Sequence, residues 1–251
     1  MEKNKKLNIG IDINEILRAR WLQFDKFYVE EFGEKGTPSG NPYVYDFFNE
    51  YKFEDTTEEV KYLNEEIPED INPLDYEVDK KTGEAPVDYM AFKSEKNKLT
   101  AKEVYNRFLY QDYAYEIHAA APLLYRQLDL HFEKFYKKYM DYVNFILVSK
   151  ENWFTIPSTL FFLSKITSRV RNYKFVETND EIWDGIDILI TTDPELLNEK
   201  PKDDKKVIKI LRPYNKKSPK GSIRSEILQL NDLNGNKKFE KIIGYKSKKT
   251  K

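Results

Sequence analysis

Two apolar periods alternate along this chain. Leu7, Ile9 and Ile11 alternate with smaller or polar residues and predict a short buried strand closed by Asp12. Asn14 then predicts a helix N-cap, with Glu15 favoured near the positive end of the helix dipole. Leu17, Trp21, Phe24, Tyr28 and Phe32 recur every three or four residues, which predicts one helix face, and Gly33 predicts its end. The same grammar returns late in the chain. Residues 143–148 predict a buried strand closed by Ser149, and Pro157 opens a helix running toward Ser168. Short strands follow at 173–176, 187–190 and 207–211. Thr191, Thr192 and Asp193 stand after the second of these, and Pro194 suits the first turn of a short helix. Strands alternating with helices predict an α/β fold, a doubly wound parallel five-stranded sheet with right-handed crossovers. In such sheets ligands bind outside the carboxyl ends of the strands, where Asp12 is placed.

Between the first strand–helix unit and the later strands the pattern changes. Gly36, Pro38, Gly40 and Pro42 predict a loop. The aromatic stretch 43–53 predicts a short helix or an interface strip. Residues 54–79 carry eleven acidic side chains against Lys61 alone, a solvated face or, more specifically, a docking surface for a basic partner. Turn residues follow through 79–94, including Gly83 and Pro86. Thr100 and Glu103 predict a capping box, and apolar spacing through Val104, Phe108 and Tyr115 predicts a helix. Pro122 divides it from a second helix with Leu123, Leu124, Leu128, Phe132 and Phe135 on one face. The expected organisation is a core in two parts, 1–33 and 131–235, a largely helical insertion over 34–130, and a basic tail over 236–251.

Composition narrows the function classes. A chain of 251 residues can bury a core as one domain with an insertion. A formal net charge of −1 gives no overall case for nucleic acid or a membrane surface. The basic tail, seven lysines against Glu240, keeps nucleic-acid binding as a weaker reading. Without cysteine there are no disulfides or thiolate metal sites, in keeping with a reducing compartment. No segment approaches 18 consecutive apolar residues, and the apolar run after the first lysines is short for a signal peptide, so the expectation is a soluble, cytoplasmic protein without a membrane partner. His118 and His131 lie among aromatic helical residues and are read as packing or surface positions.

The order of elements and of their polar tips resembles the haloacid dehalogenase (HAD) superfamily, above all its 5′-nucleotidase-like phosphatases. The first motif of that family, an apolar strand ending Asp-x-Asp, is similar to IGIDIN, with Asp12 at the nucleophile position and Asn14 at that of the acid–base Asp. FILVS resembles the second motif, with Ser149 at its end. Lys165 matches the helix lysine of the third, and Lys150 is the weaker match. ILITTDP resembles the acidic fourth motif, with Thr192 in its first acidic slot and Asp193 in its second. The insertion falls where the family carries a cap.

The resemblance implies an aspartyl-phosphate formed on Asp12, phosphoryl oxygens held by Ser149 and Lys165, and Mg²⁺ bound weakly by Asp12 and Asp193. Asn14 cannot perform the proton transfer of an acid–base Asp, a loss worth about 10²–10⁴-fold in rate. Two expectations follow. The favoured one is a HAD-like scaffold with an incomplete catalytic set, serving as a structural or assembly protein. Its partners would be other protein subunits reached through the acidic insert 54–79 and the basic tail 236–251, in a ring or another oligomer. The asparagine-, lysine- and tyrosine-rich composition is of a kind associated with phage-encoded chains, so a virion component is the version expected. The alternative is a Mg²⁺-dependent phosphohydrolase with Asp12 as nucleophile.

Overall fold

In the computed structural model of the chain, the strand expected first is β1, Leu7–Asp12. Helix α1, Arg20–Phe32, and the short α2, Phe47–Glu50, follow it. Next come strands β2, Thr56–Leu63, and β3, Phe92–Leu99, then helices α3, Ala101–Arg107, and α4, Leu128–Tyr139. The alternating part comprises β4, Val143–Lys150; α5, Ile156–Lys165; β5, Tyr173–Val176; α6, Asn179–Ile182; β6, Ile188–Thr191; α7, Pro194–Asn198; and β7, Lys206–Lys209. Helix α8, Lys237–Ile242, comes last. The structure describes residues 6–38, 46–63, 92–166, 170–199 and 204–246. The expectations for Gly40, Pro42 and 43–45, for 64–79 of the acidic run, for the turns of 79–91 and for 247–251 of the tail lie outside the described residues.

β1 is the middle strand of a five-stranded parallel sheet ordered β5-β4-β1-β6-β7. The register sets Ile11 beside both Leu147 and Ile190, and Asp12 beside Val148. Alternation along the strands divides their side chains between two faces. Ile9, Ile11, Phe145, Leu147, Ile188, Ile190 and Ile208 enter the larger core, with Leu128, Phe132 and Phe135 of α4 and Phe162 and Leu163 of α5. Val148 and Leu189 turn to the other face, against Ile182, Ile186 and Leu196. The result is a Rossmann-like α/β sheet flanked by helices, as the periodicities predict.

Four local features differ from expectation. α1 begins at Arg20 rather than beside Asn14, because Glu15 takes a left-handed conformation at φ 58° and residues 13–19 form a turn of their own. Of the two readings of the aromatic stretch, its described residues take the short helix and not the interface strip: Phe47 and Tyr51 are buried, with Phe47 stacked 4.2 Å from the Phe24 ring. Residues 236–246 begin as a folded element. Asn236 caps α8 through its side chain, and Phe239 is buried in the larger core. The continuous helix expected after Thr100 gives way to π-helical turns at Phe108–Asp112 and Tyr115–Ala119.

The chain divides into two units, Met1–Lys52 with Asn106–Lys251, and Phe53–Tyr105. The second is narrower than the 34–130 insertion expected. Among its described residues it holds the antiparallel strand pair β2–β3, where the expectation is a largely helical insertion. The acidic run conceals this strand pair. Thr, Val and Tyr in TTEEVKYL suit a strand, and the register sets Glu59 opposite Lys96 and Thr57 opposite Lys98. The capping box forms as predicted, with Thr100 N donating to Glu103 Oε2 at 2.8 Å. Among the described residues no helix is long and apolar enough to cross a membrane.

Candidate functional site

Strands β4, β1 and β6 end side by side, and their polar tips meet at the carboxyl edge of the sheet. Asp12 closes β1 and is partly buried. Its Oδ1 accepts from the Asn14 backbone at 3.1 Å and its Oδ2 from the Thr191 hydroxyl at 2.9 Å. Asn14, Ser149 and Asp193 are buried beside it. Burial, and then the neighbouring Asp193 carboxylate, push the Asp12 carboxyl up to about 7. Burial does the same to Glu15, also to about 7, against the opposing pull of Arg20. Thus Asp12, Asn14, Ser149 and Asp193 converge, as expected of the tips of adjacent parallel strands.

Lys165 is engaged elsewhere. Its ammonium donates to the Ala119 carbonyl at 2.9 Å and lies 4.8 Å from the Phe161 ring. Lys150, the weaker match, donates to Asn179 Oδ1 at 3.0 Å and pairs with Glu195 at 3.2 Å.

A closed polar ring occupies the space beside Ser149. Arg18, with 0% exposure, forms an ion pair with Glu151, whose side chain is likewise fully buried. The Arg18 Nε donates to Asn14 Oδ1 at 2.8 Å, and the Asn14 amide donates to Ser149 Oγ at 3.0 Å. Ser149 Oγ in turn donates to Glu151 Oε1 at 2.6 Å, which returns the circuit to Arg18. Arg18 Nη1 also donates to the His118 carbonyl and to Thr159 Oγ1, both at 2.8 Å. Its Nη2 lies 3.3 Å from His118 Nδ1. All five guanidinium hydrogens therefore have acceptors. Thr159 and Thr155 hydroxyls donate to the second oxygen of Glu151 at 2.6 and 3.2 Å. Burial, and then the Arg18 charge, hold His118 well below the usual imidazole range, so the ring stays neutral and can accept from Arg18.

Sequence reasoning passed over Arg18 and Glu151, read Glu15 only as a helix-dipole residue, and read His118 as a packing or surface position. The available signals were slight: an arginine between Leu17 and Ala19 in an apolar stretch, and a glutamate two residues beyond Ser149. Asn215 was passed over too. Its buried amide donates to the Thr192 and Ile210 carbonyls at 2.8 and 2.9 Å and fixes the loop after β6.

Mg²⁺ requires near-octahedral oxygen ligation. The donors at this edge fit it poorly. Both oxygens of Asp12 already accept hydrogen bonds. Asp193 Oδ1 caps α7, accepting from Glu195 N at 2.8 Å and Leu196 N at 3.4 Å. Among the described residues no group of three histidine or acidic side chains is placed to hold a metal ion.

Comparison of the chain with protein-family models, with curated proteins and with solved structures finds no match.

Proposed function

We propose that this chain is a HAD-like scaffold whose catalytic pole is filled from within, and that it serves as a non-catalytic structural subunit of a larger assembly such as a virion. One observation carries the reading. Ser149, at the position that would grip a phosphoryl group, has its hydroxyl engaged by Asn14 on one side and Glu151 on the other, while the buried Arg18–Glu151 pair fills the adjoining space. A phosphate gripped by Ser149 would have to break the hydroxyl's bonds to Asn14 and Glu151, in a space that the buried Arg18–Glu151 pair already fills. The strand arrangement supports the scaffold half of the proposal. β1 carries Asp12 between a strand with Ser149 next to its last residue and a strand followed by Asp193, the neighbours that the HAD resemblance requires. Asn14 lacks the carboxyl that would pass the proton and is bonded to Arg18 instead, and Lys165 is turned to Ala119.

The competing reading is a phosphohydrolase with Asp12 as nucleophile. It draws on a specific observation: among Asp12, Asn14, Ser149 and Asp193, Asp12 alone keeps appreciable exposure. The decisive measurement is turnover of p-nitrophenyl phosphate and a nucleotide panel with Mg²⁺ by wild type, Asp12→Asn and Asn14→Asp. The expected result is none in all three, because a carboxylate at position 14 would still face Arg18 and leave Ser149 bonded to Glu151. Wild-type turnover abolished by Asp12→Asn overturns the proposal. Turnover gained in Asn14→Asp would overturn the internal filling of the pole, since it would show that the pocket still admits a phosphate.

A further inference from the structure

Immediately past the buried end of β4 the chain turns its apolar side chains outward. Trp153 is 63% exposed, Phe154 43%, Leu160 41% and Phe161 46%, and Tyr115, whose ring centroid lies 5.7 Å from that of Phe161, is 53% exposed. The Trp153 and Phe154 rings stack at 3.7 Å. Positions 153, 154, 157, 160, 161 and 164 recur at helical spacing, so they make one continuous outward face along α5 and the turn before it. The opposite side of α5 is a normal core face, with Thr159, Phe162 and Leu163 buried. The other exposed large apolar side chains among the described residues, such as Leu22, Leu130 and Leu228, lie elsewhere along the chain, outside α5.

We propose that the α5 face is an interface between two copies of this chain, packed about a two-fold axis with their α5 helices antiparallel. The proposal rests on the reading of the chain as an assembly subunit and identifies the surface used. Two features favour a second copy as the occupant. The first is area. Five large side chains about half exposed offer roughly 500 Å² per copy, so a two-fold pair buries roughly 1,000 Å² of mostly apolar surface, the lower limit for a specific interface and the size of a micromolar, reversible one. The second is charge. A two-fold contact sets each residue near the axis against itself, so any ionisable group there would meet its own charge. Positions 153, 154, 157, 160, 161 and 164 carry none. Lys165, the adjoining charge, lies over the Phe161 ring and is bonded to the Ala119 carbonyl, so it flanks those six positions with its donor already engaged. The stacked Trp153–Phe154 pair supplies the rigid aromatic anchors that commonly dominate interface energies.

Sedimentation velocity of the full chain from about 1 to 100 µM tests this. The wild type is expected to move from monomer to dimer across that range. Phe161→Glu and Trp153→Ser are each expected to weaken the dimer by at least about 30-fold. Both positions are exposed, so far-UV circular dichroism should be unchanged. Leu228→Glu, exposed on another element, should leave the dimer intact. A wild type that stays monomeric throughout overturns the proposal, as does a dimer equally tight in Phe161→Glu and Trp153→Ser. The phosphatase assay is independent of this measurement, so failure of the interface and failure of the non-catalytic reading give different results.

Discussion

Arg18 shows how much one buried charge demands of its surroundings. A guanidinium out of water is stable only with a paired charge and a full set of acceptors, and Arg18 has both. Removing either partner of the pair leaves the other charge buried, so Arg18→Leu and Glu151→Leu are each expected to cost about 3–5 kcal/mol in urea unfolding. The double variant should cost far less than their sum, and strictly additive losses would refute the coupling. Asp12 makes a second residue-scale prediction. Its proton, and that of Glu15, is held more tightly in the folded chain than in the unfolded one, with folded values near 7. A carboxyl with a raised pKa contributes stability that is full below its unfolded pKa and is lost as pH rises through the folded value. Asp12→Asn should therefore leave the melting temperature nearly unchanged near pH 4 but raise it by about 10 °C at pH 8, for about 4 kcal/mol. An equal shift at both pH values would remove the titration from the explanation. Of the site residues, Asp12, Asn14, Ser149 and Asp193 were legible because each stands at or just past the end of an apolar run. Arg18, Glu15 and Glu151 were not, because local sequence does not report whether a charged side chain turns inward.

Elements were easier to foresee than their boundaries. β5 has the expected limits, and Gly33 ends α1 in a left-handed conformation at φ 79°, its amide donating to Val29 O at 3.0 Å. The start of α1 was missed for a tertiary reason. Asn14 had the composition of an N-cap, but its side chain is held by Ser149 and Arg18, so no first turn can form around it. The edge of β7 is covered by the later chain, with Ser222 N donating to Val207 O at 2.7 Å. Gly221 makes that approach feasible. A Cβ there would meet Val207 O at 2.6 Å and Lys209 N at 2.9 Å, both backbone atoms. A Cβ at Gly10 would meet Ile186 Cδ1 at 2.7 Å, the movable end of a side chain. Gly221→Ala is therefore expected to cost about 2–3 kcal/mol and Gly10→Ala less, as measured by thermal unfolding. The reverse order would show that the covering segment can shift away from β7.

For the whole molecule, the opposed charges of the insert and tail were the first route to assembly. The structure adds a different surface, the aromatic side of α5. If two copies join there, folding and association are linked, and the melting temperature should rise with protein concentration in the wild type but not in Phe161→Glu. A midpoint independent of concentration in both would count against the interface.

The sequence by itself determined the α/β class, the five parallel strands and the meeting of Asp12, Ser149 and Asp193, because a two-residue alternation and a polar strand tip are local properties, and parallel strands align their carboxyl ends. Tertiary structure alone decided that the pole is filled. Arg18 and Glu151 lie 133 positions apart, and only the pairing of β1 with β4 brings the turn after one strand against the end of the other. That same packing sets the orientation of α5, burying Phe162 and leaving Phe161 in solvent.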